Sequence, residues 1–186
     1  MNLDRFFRRA APVIMPVDAL YDALVKKSRE TAFYATFGVP DTVNGRFDMI
    51  IIHAMLVFRR LRDGGVDAEV MGQAVFDLMF KDMDRSLREM GVGDLSVSKH
   101  IKKMAKAFYG RATIYEQGLD GEAEALGQAL QANVYRHQEA SSDVIAGMTN
   151  YLRRMDAHIA GQAVADIVAG HIDLTIPVAG AGHGPA

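Results

Sequence analysis

The chain has 186 residues, of which 49% are hydrophobic and 24% charged, with a net charge of −2. That size and balance suit a folded domain with a substantial core and exclude a disordered chain, and the charge argues against DNA or other nucleic acid being held nonspecifically by the molecule as a whole. The absence of cysteine removes disulfides, thiolate nucleophiles and thiolate metal ligands.

The chain opens with "MNLDRFFRRAAPVIMPV", where Phe6, Phe7, Arg8 and Arg9 form a short arm over 3–9. Pro12 and Pro16 interrupt it, and no apolar run of signal-peptide type is present. Such an arm can touch a membrane surface but is too short to anchor firmly. Beyond it, apolar residues recur at helical spacing and no stretch alternates like a strand. Helices are predicted over 17–37 (with a break), 45–62, 67–90, 97–117, 121–138 and 143–171. The fold class is therefore all-α, a bundle of about six helices in one domain over 1–176. A small-residue tail, 177–186, reads as disordered.

The second predicted helix holds the longest apolar stretch, "MIIIHAMLVF" from Met49 to Phe58. A membrane span needs about twenty apolar residues, so this one is too short. His53 within it reads as a hydrogen-bonded core residue rather than a ligand. The helix over 67–90 looks central. Phe76, Phe80, Met83 and Leu87 form one stripe, broadened by Met71, Val75, Leu78, Met79 and Met90, while Asp77, Lys81, Asp84 and Arg88 form a charge ladder opposite. Glycines supply the predicted stops, at Gly64 and Gly65, Gly91 and Gly93, and Gly118 and Gly121.

Gly91 is expected to end that helix in a left-handed cap, with "GVGD" turning the chain and Ser96 capping the next helix. The following helix carries an apolar stripe of Ile101, Met104, Ala105, Phe108, Ala112 and Tyr115. Its other face carries Lys99, Lys102, Lys103 and Lys106, with His100 close by. A solvated face and a contact for phosphate-bearing RNA or anionic lipid are both open readings of those lysines.

Conventional chemistry is hard to find. No two of the six histidines have the four-residue spacing of a helical zinc pair, and there is no phosphate loop, dinucleotide fingerprint or Gly-x-Ser-x-Gly elbow. Asp82 and Asp84 point in different directions at two-residue spacing on a helix, which disfavours an acid–base pair. No enzyme activity, cofactor or metal is expected. Eleven methionines are an unusual entry in the composition, suiting either an irregular core or an adaptable binding surface.

Two stretches, "PDTVNGRFDMIIIHAMLVFRRL" (Pro40 to Leu61) and "FKDMDRSLREMGVGDLSVSKHIKKMAKAFYGR" (Phe80 to Arg111), resemble the ubiquinol–cytochrome c chaperone family. The resemblance covers roughly 31–170, and "DMDRSLREMGVGDLSV" and "AFYGR" are its specific pieces. It implies an all-helical, non-enzymatic assembly factor for respiratory complex III, of the bacterial type, with cytochrome b or complex III assembly intermediates as partners. Mitochondrial members work at the inner membrane beside the ribosome. The resemblance therefore implies a cytoplasmic protein, peripheral on the inner face of the cytoplasmic membrane, with the ribosome or an anionic membrane as a further partner. Client binding is expected on an apolar, Met-rich helical surface. Asp82, Asp84, Arg88, Glu89, Gly91, Gly93 and Asp94 would form a surface-and-turn element, and Lys99, Lys102, Lys103 and Lys106 an electrostatic contact. The alternative is a helical module for an apolar small ligand such as a lipid or quinone.

Overall fold

The computed structural model describes residues 15–176. The expected 3–9 arm and the 177–186 tail lie outside the described residues. Within them the chain forms six longer helices and two short ones: α1 Pro16–Ser28, α2 Thr31–Ala35, α3 Val43–Leu61, α4 Val66–Glu89, α5 Asp94–Asp120, α6 Ala123–Asn133, α7 Ser142–Ala160 and α8 Val164–Val168. The all-α bundle matches the expectation from periodicity.

The expected central helix is displaced by its neighbour. α3, not α4, lies at the centre, packed against α1, α4, α5 and α7. Every residue from Phe47 to Val57 is buried, and a helix that is apolar on all sides has no face to give to water. α4 keeps its charge ladder, so it can bury only one stripe, and lies outside. Its deepest residues are Ala68, Val75, Met79 and Met83, while Phe76, Phe80 and Leu87 are half-buried.

The methionines follow the same logic. Met49, Met55, Met79, Met83, Met148 and Met155 are buried, Met71 and Met104 pack partly against the core, and Met15 and Met90 are exposed. The expected Met-rich surface is therefore a Met-rich core, because thioethers fill the irregular gaps between crossing helices.

Several helix ends differ from expectation, including that of α6, which ends at Asn133 rather than 138. Ser96 does not cap α5; the helix starts at Asp94, three residues earlier, with Gly93 as the N-cap accepting from Ser96 N at 2.8 Å and Val97 N at 3.0 Å. Gly118 does not stop α5 either. It lies within the helix, where an added Cβ would stand 2.8 Å from the Leu126 Cα of α6. Its role is close helix approach. The helix expected over 143–171 ends at Ala160, and the chain turns at Gly161 and Gln162 before α8. The Arg60 guanidinium on α3 donates to the Gln162 carbonyl at 2.8 Å, and Gln162 in turn brackets Asp173. These contacts favour the turn over a continued helix.

The two stretches that carry the family resemblance meet inside the fold. Asp48 of the first is buried and paired with Arg111 of the second, and Arg136 Nη1 reaches its other oxygen at 2.9 Å. Burial raises the Asp48 carboxyl to about 6, against the opposing pull of the two guanidinium groups. Phe58 of the first stretch packs edge-on against Phe108 of the second, with ring centroids 5.9 Å apart.

Candidate client-binding surface

The turn between α4 and α5 is a Schellman cap built by its own sequence. Gly91 has φ +84°, its N–H donates to the Arg88 carbonyl at 2.9 Å, and Val92 N–H donates to the Leu87 carbonyl at 3.1 Å. Gly93 does not need glycine's freedom, having φ −64° and open space around it.

The charged members of the predicted site are brought together only in part. Arg88 pairs with Asp84 within α4 and with Asp94 across the turn, stapling the start of α5 to the end of α4. Arg85 pairs with Asp82 and approaches Glu89 at 3.9 Å. Asp82 faces away from the turn, accepting from Tyr21 Oη of α1 at 3.0 Å. These acidic groups are thus engaged with neighbours. Asp94 also stands in the first turn of α5, where the helix dipole favours a negative charge.

The lysines are in a different state. Lys99, Lys102, Lys103 and Lys106 are all exposed, and none joins a salt bridge among the described residues. Lys99, Lys102 and Lys106 lie on one line, which continues to Leu95 at the hairpin tip and Tyr109 at the other end. These positions are spaced by three and four residues, so they share a face about 20 Å long. Leu95 is 95% exposed, the most exposed large apolar residue of the described chain, and Met90 beside the turn is 53% exposed.

Tyr109 leads into an aromatic cluster. Phe76 stacks against Phe80, Phe108 and Tyr109 with centroids 4.7 to 5.6 Å apart. A groove of about 250 Å³ opens there, bounded by Phe58, Gly72, Phe76 and Tyr109, with the exposed Val66 and Val70 further along α4. Sequence reasoning missed Leu95, Val66 and Val70. The signal for Leu95 was available, since it stands four residues before Lys99 on the lysine line.

No helix among the described residues is long and apolar enough to cross a membrane. What the α4–α5 hairpin displays is a basic stripe flanked by apolar side chains on a helical support.

Comparison with known proteins gives this helical bundle a family. The model of the ubiquinol-cytochrome C chaperone family matches residues 35–175, and this chain belongs to that family. It is similar to ubiquinol-cytochrome c reductase complex assembly factor 1 of Homo sapiens, at 24% identity over 144 residues. The Mus musculus protein of the same name is 22% identical over 135 residues. These matches cover 74% and 73% of this chain but 48% and 46% of those proteins, so the chain spans about half the length of the curated relatives it matches. The crystal structure of the Cbp3 homolog from Brucella abortus superposes with a TM-score of 0.79 at 34% identity, covering 88% of this chain and 90% of that one.

Proposed function

We propose that this protein is a non-enzymatic chaperone that assists assembly of ubiquinol–cytochrome c reductase, holding cytochrome b or an assembly intermediate that contains it. The supporting observation is the family match over 35–175, together with relatives named as assembly factors of that complex. In this reading the α4–α5 hairpin is the working surface. The ion pairs of Arg88 with Asp84 and Asp94, and the cap at Gly91, hold the lysine helix at a set angle to α4. Gly93 caps the start of α5, while Asp82 ties α4 to Tyr21 of α1 and Glu89 lies near Arg85.

The lysine line and its apolar ends divide the work. Lys99, Lys102, Lys103 and Lys106 draw the protein to an anionic bilayer surface, and Leu95 and Met90 enter its boundary layer at the hairpin tip. Each lysine close to such a surface contributes about 1 kcal/mol. The aromatic groove at Tyr109 then meets an apolar client segment emerging from that bilayer. A membrane surface fits better than ribosomal RNA because exposed leucine and methionine gain nothing from a phosphate backbone.

The test is affinity capture of the tagged full chain from detergent-solubilised membranes, with the co-purifying proteins and lipids identified. The expected result is enrichment of complex III subunits over those of other respiratory complexes. A stoichiometric lipid or quinone captured without those subunits would replace the chaperone reading with a ligand-binding one.

A further inference from the structure

On another part of the molecule, α6 and α7 leave an apolar groove of about 630 Å³ between them, within the size range of small-molecule sites. Its walls come from Ala123 and Gly127 on α6 and from Ile145 and Ala146 on α7. Polar residues also line it, among them Gln128 and Gln131 on α6 and Ser142 and Asn150 on α7, but only Thr149 and Arg153 of α7 hold a buried polar atom without a partner. They are four residues apart and therefore one turn apart on the same face.

Each has a buried polar atom with no hydrogen-bond partner. Thr149 is 5% exposed and its hydroxyl makes no hydrogen bond; it faces α6, 3.6 Å from where a Cβ on Gly127 would stand. Arg153 spends one terminal nitrogen on the carbonyls of Gly118, at 3.3 Å, and Gly121, at 2.6 Å. Its Nε is buried with no acceptor, and no carboxylate pairs with the guanidinium among the described residues. The single carboxylate in the lining, Glu124, is on the opposite wall and is engaged by the Gln128 side chain at 3.3 Å. A half-buried, unneutralised guanidinium beside an unpartnered hydroxyl at an apolar groove is complementary to one kind of ligand. That ligand has an apolar chain and a small anionic head rich in acceptor oxygens.

We propose that the α6–α7 groove binds a single-chain anionic amphiphile, its hydrocarbon chain lying along Ala123, Gly127, Ile145 and Ala146 and its head meeting Arg153 and Thr149. The head chemistry is shared by a free fatty acid and a one-chain phospholipid. A protein helix is a poorer occupant, because its backbone acceptors are already used within the helix and cannot serve two donors on the groove floor.

The test is calorimetric titration of the full chain with oleate, methyl oleate and lysophosphatidylglycerol, each below its micelle threshold. Oleate is expected to bind saturably at one site, and methyl oleate about tenfold or more weaker, the scale of one lost charge-assisted hydrogen bond. Ala146→Trp fills the groove from an exposed position and is expected to abolish binding while leaving the helical circular dichroism and melting temperature unchanged. Arg153→Gln and Thr149→Val are each expected to weaken oleate binding; Thr149→Val does so without loss of fold, since it removes only an unpartnered hydroxyl. Tighter binding of lysophosphatidylglycerol than of oleate assigns the ligand to membrane lipid, and the reverse order to free fatty acid. Absence of saturable binding, equal affinity for methyl oleate, or oleate binding untouched in folded Ala146→Trp would each overturn the proposal.

Discussion

His53 shows how a single side chain can be polar and still belong to the core. It is fully buried on α3, and its Nδ1–H donates to the Met49 carbonyl at 2.8 Å, which sets the tautomer and leaves Nε2 to accept from Tyr151 Oη at 2.7 Å. Ser28 Oγ lies 3.0 Å from Nδ1, and Phe33 packs edge-on against both rings. Burial pushes the imidazole down to about 4. Between that value and the ordinary 6.5 the unfolded chain binds the proton and the folded chain does not, so stability is lost as pH falls through this window. Asp48, raised to about 6, acts in the opposite sense: its folded form binds more protons between about 4 and 6, so it favours folding as pH falls. Comparing the protein with His53→Gln cancels the Asp48 contribution. Urea unfolding at pH 7 and pH 5 should show the wild type losing more stability on acidification than the variant. Gly91 gives a second residue-scale prediction. A Cβ there would touch nothing within 4 Å, so the cost of Gly91→Val is purely that of a left-handed β-branched residue, about 1–2 kcal/mol. Thermal unfolding checks it, and an unchanged melting temperature would refute the strained cap.

At the scale of the element, α5 contains two glycines eight residues apart with opposite meanings. Gly118 is buried against α6, and an added methyl would stand 2.8 Å from the Leu126 Cα, which is backbone and cannot swing aside. Gly110 is exposed with nothing within 4 Å. Gly118→Ala should therefore destabilise by about 1–3 kcal/mol through overpacking. Gly110→Ala should stabilise by about 0.5–1 kcal/mol through helix propensity and a less flexible unfolded chain. Denaturant midpoints of the two variants moving in the same direction would contradict this assignment. Both glycines look alike in the sequence, where Gly118 reads as a stop. The difference arises because α6 folds back so closely on α5, a long-range fact.

For the whole molecule, the question is whether the lysine face acts as a surface or is merely solvated. The quadruple replacement of Lys99, Lys102, Lys103 and Lys106 by Gln leaves the core untouched, since all four are exposed. It should abolish co-sedimentation with anionic vesicles and leave the melting temperature within about 1 °C, as expected for surface substitutions of small effect. Raising the salt should mimic the substitution on the unmodified protein, because the attraction fades beyond a Debye length of about 10 Å at 0.1 M. Leu95→Ser should weaken vesicle binding while leaving its salt dependence in place. Vesicle binding indifferent to both lysines and salt would mean that this face is only solvated.

The local periodicity determined the helix content, the α4–α5 turn, the left-handed glycine at its cap and the lysine face, because each depends on residues within a few positions of one another. The two stretches resembling the family also pointed correctly to the family itself. The sequence did not reveal that the two stretches meet: Asp48 and Arg111, 63 residues apart, form a buried pair that joins α3 to α5. Nor did it reveal which apolar helix would be central, since α3 and α4 both carry enough apolar surface and only the competition for burial separates them. The unpartnered Thr149 hydroxyl and Arg153 Nε are a tertiary property in the same sense. Whether a hydroxyl or a guanidinium lacks a partner depends on every chain segment that could have supplied one, and those segments meet only in the folded molecule.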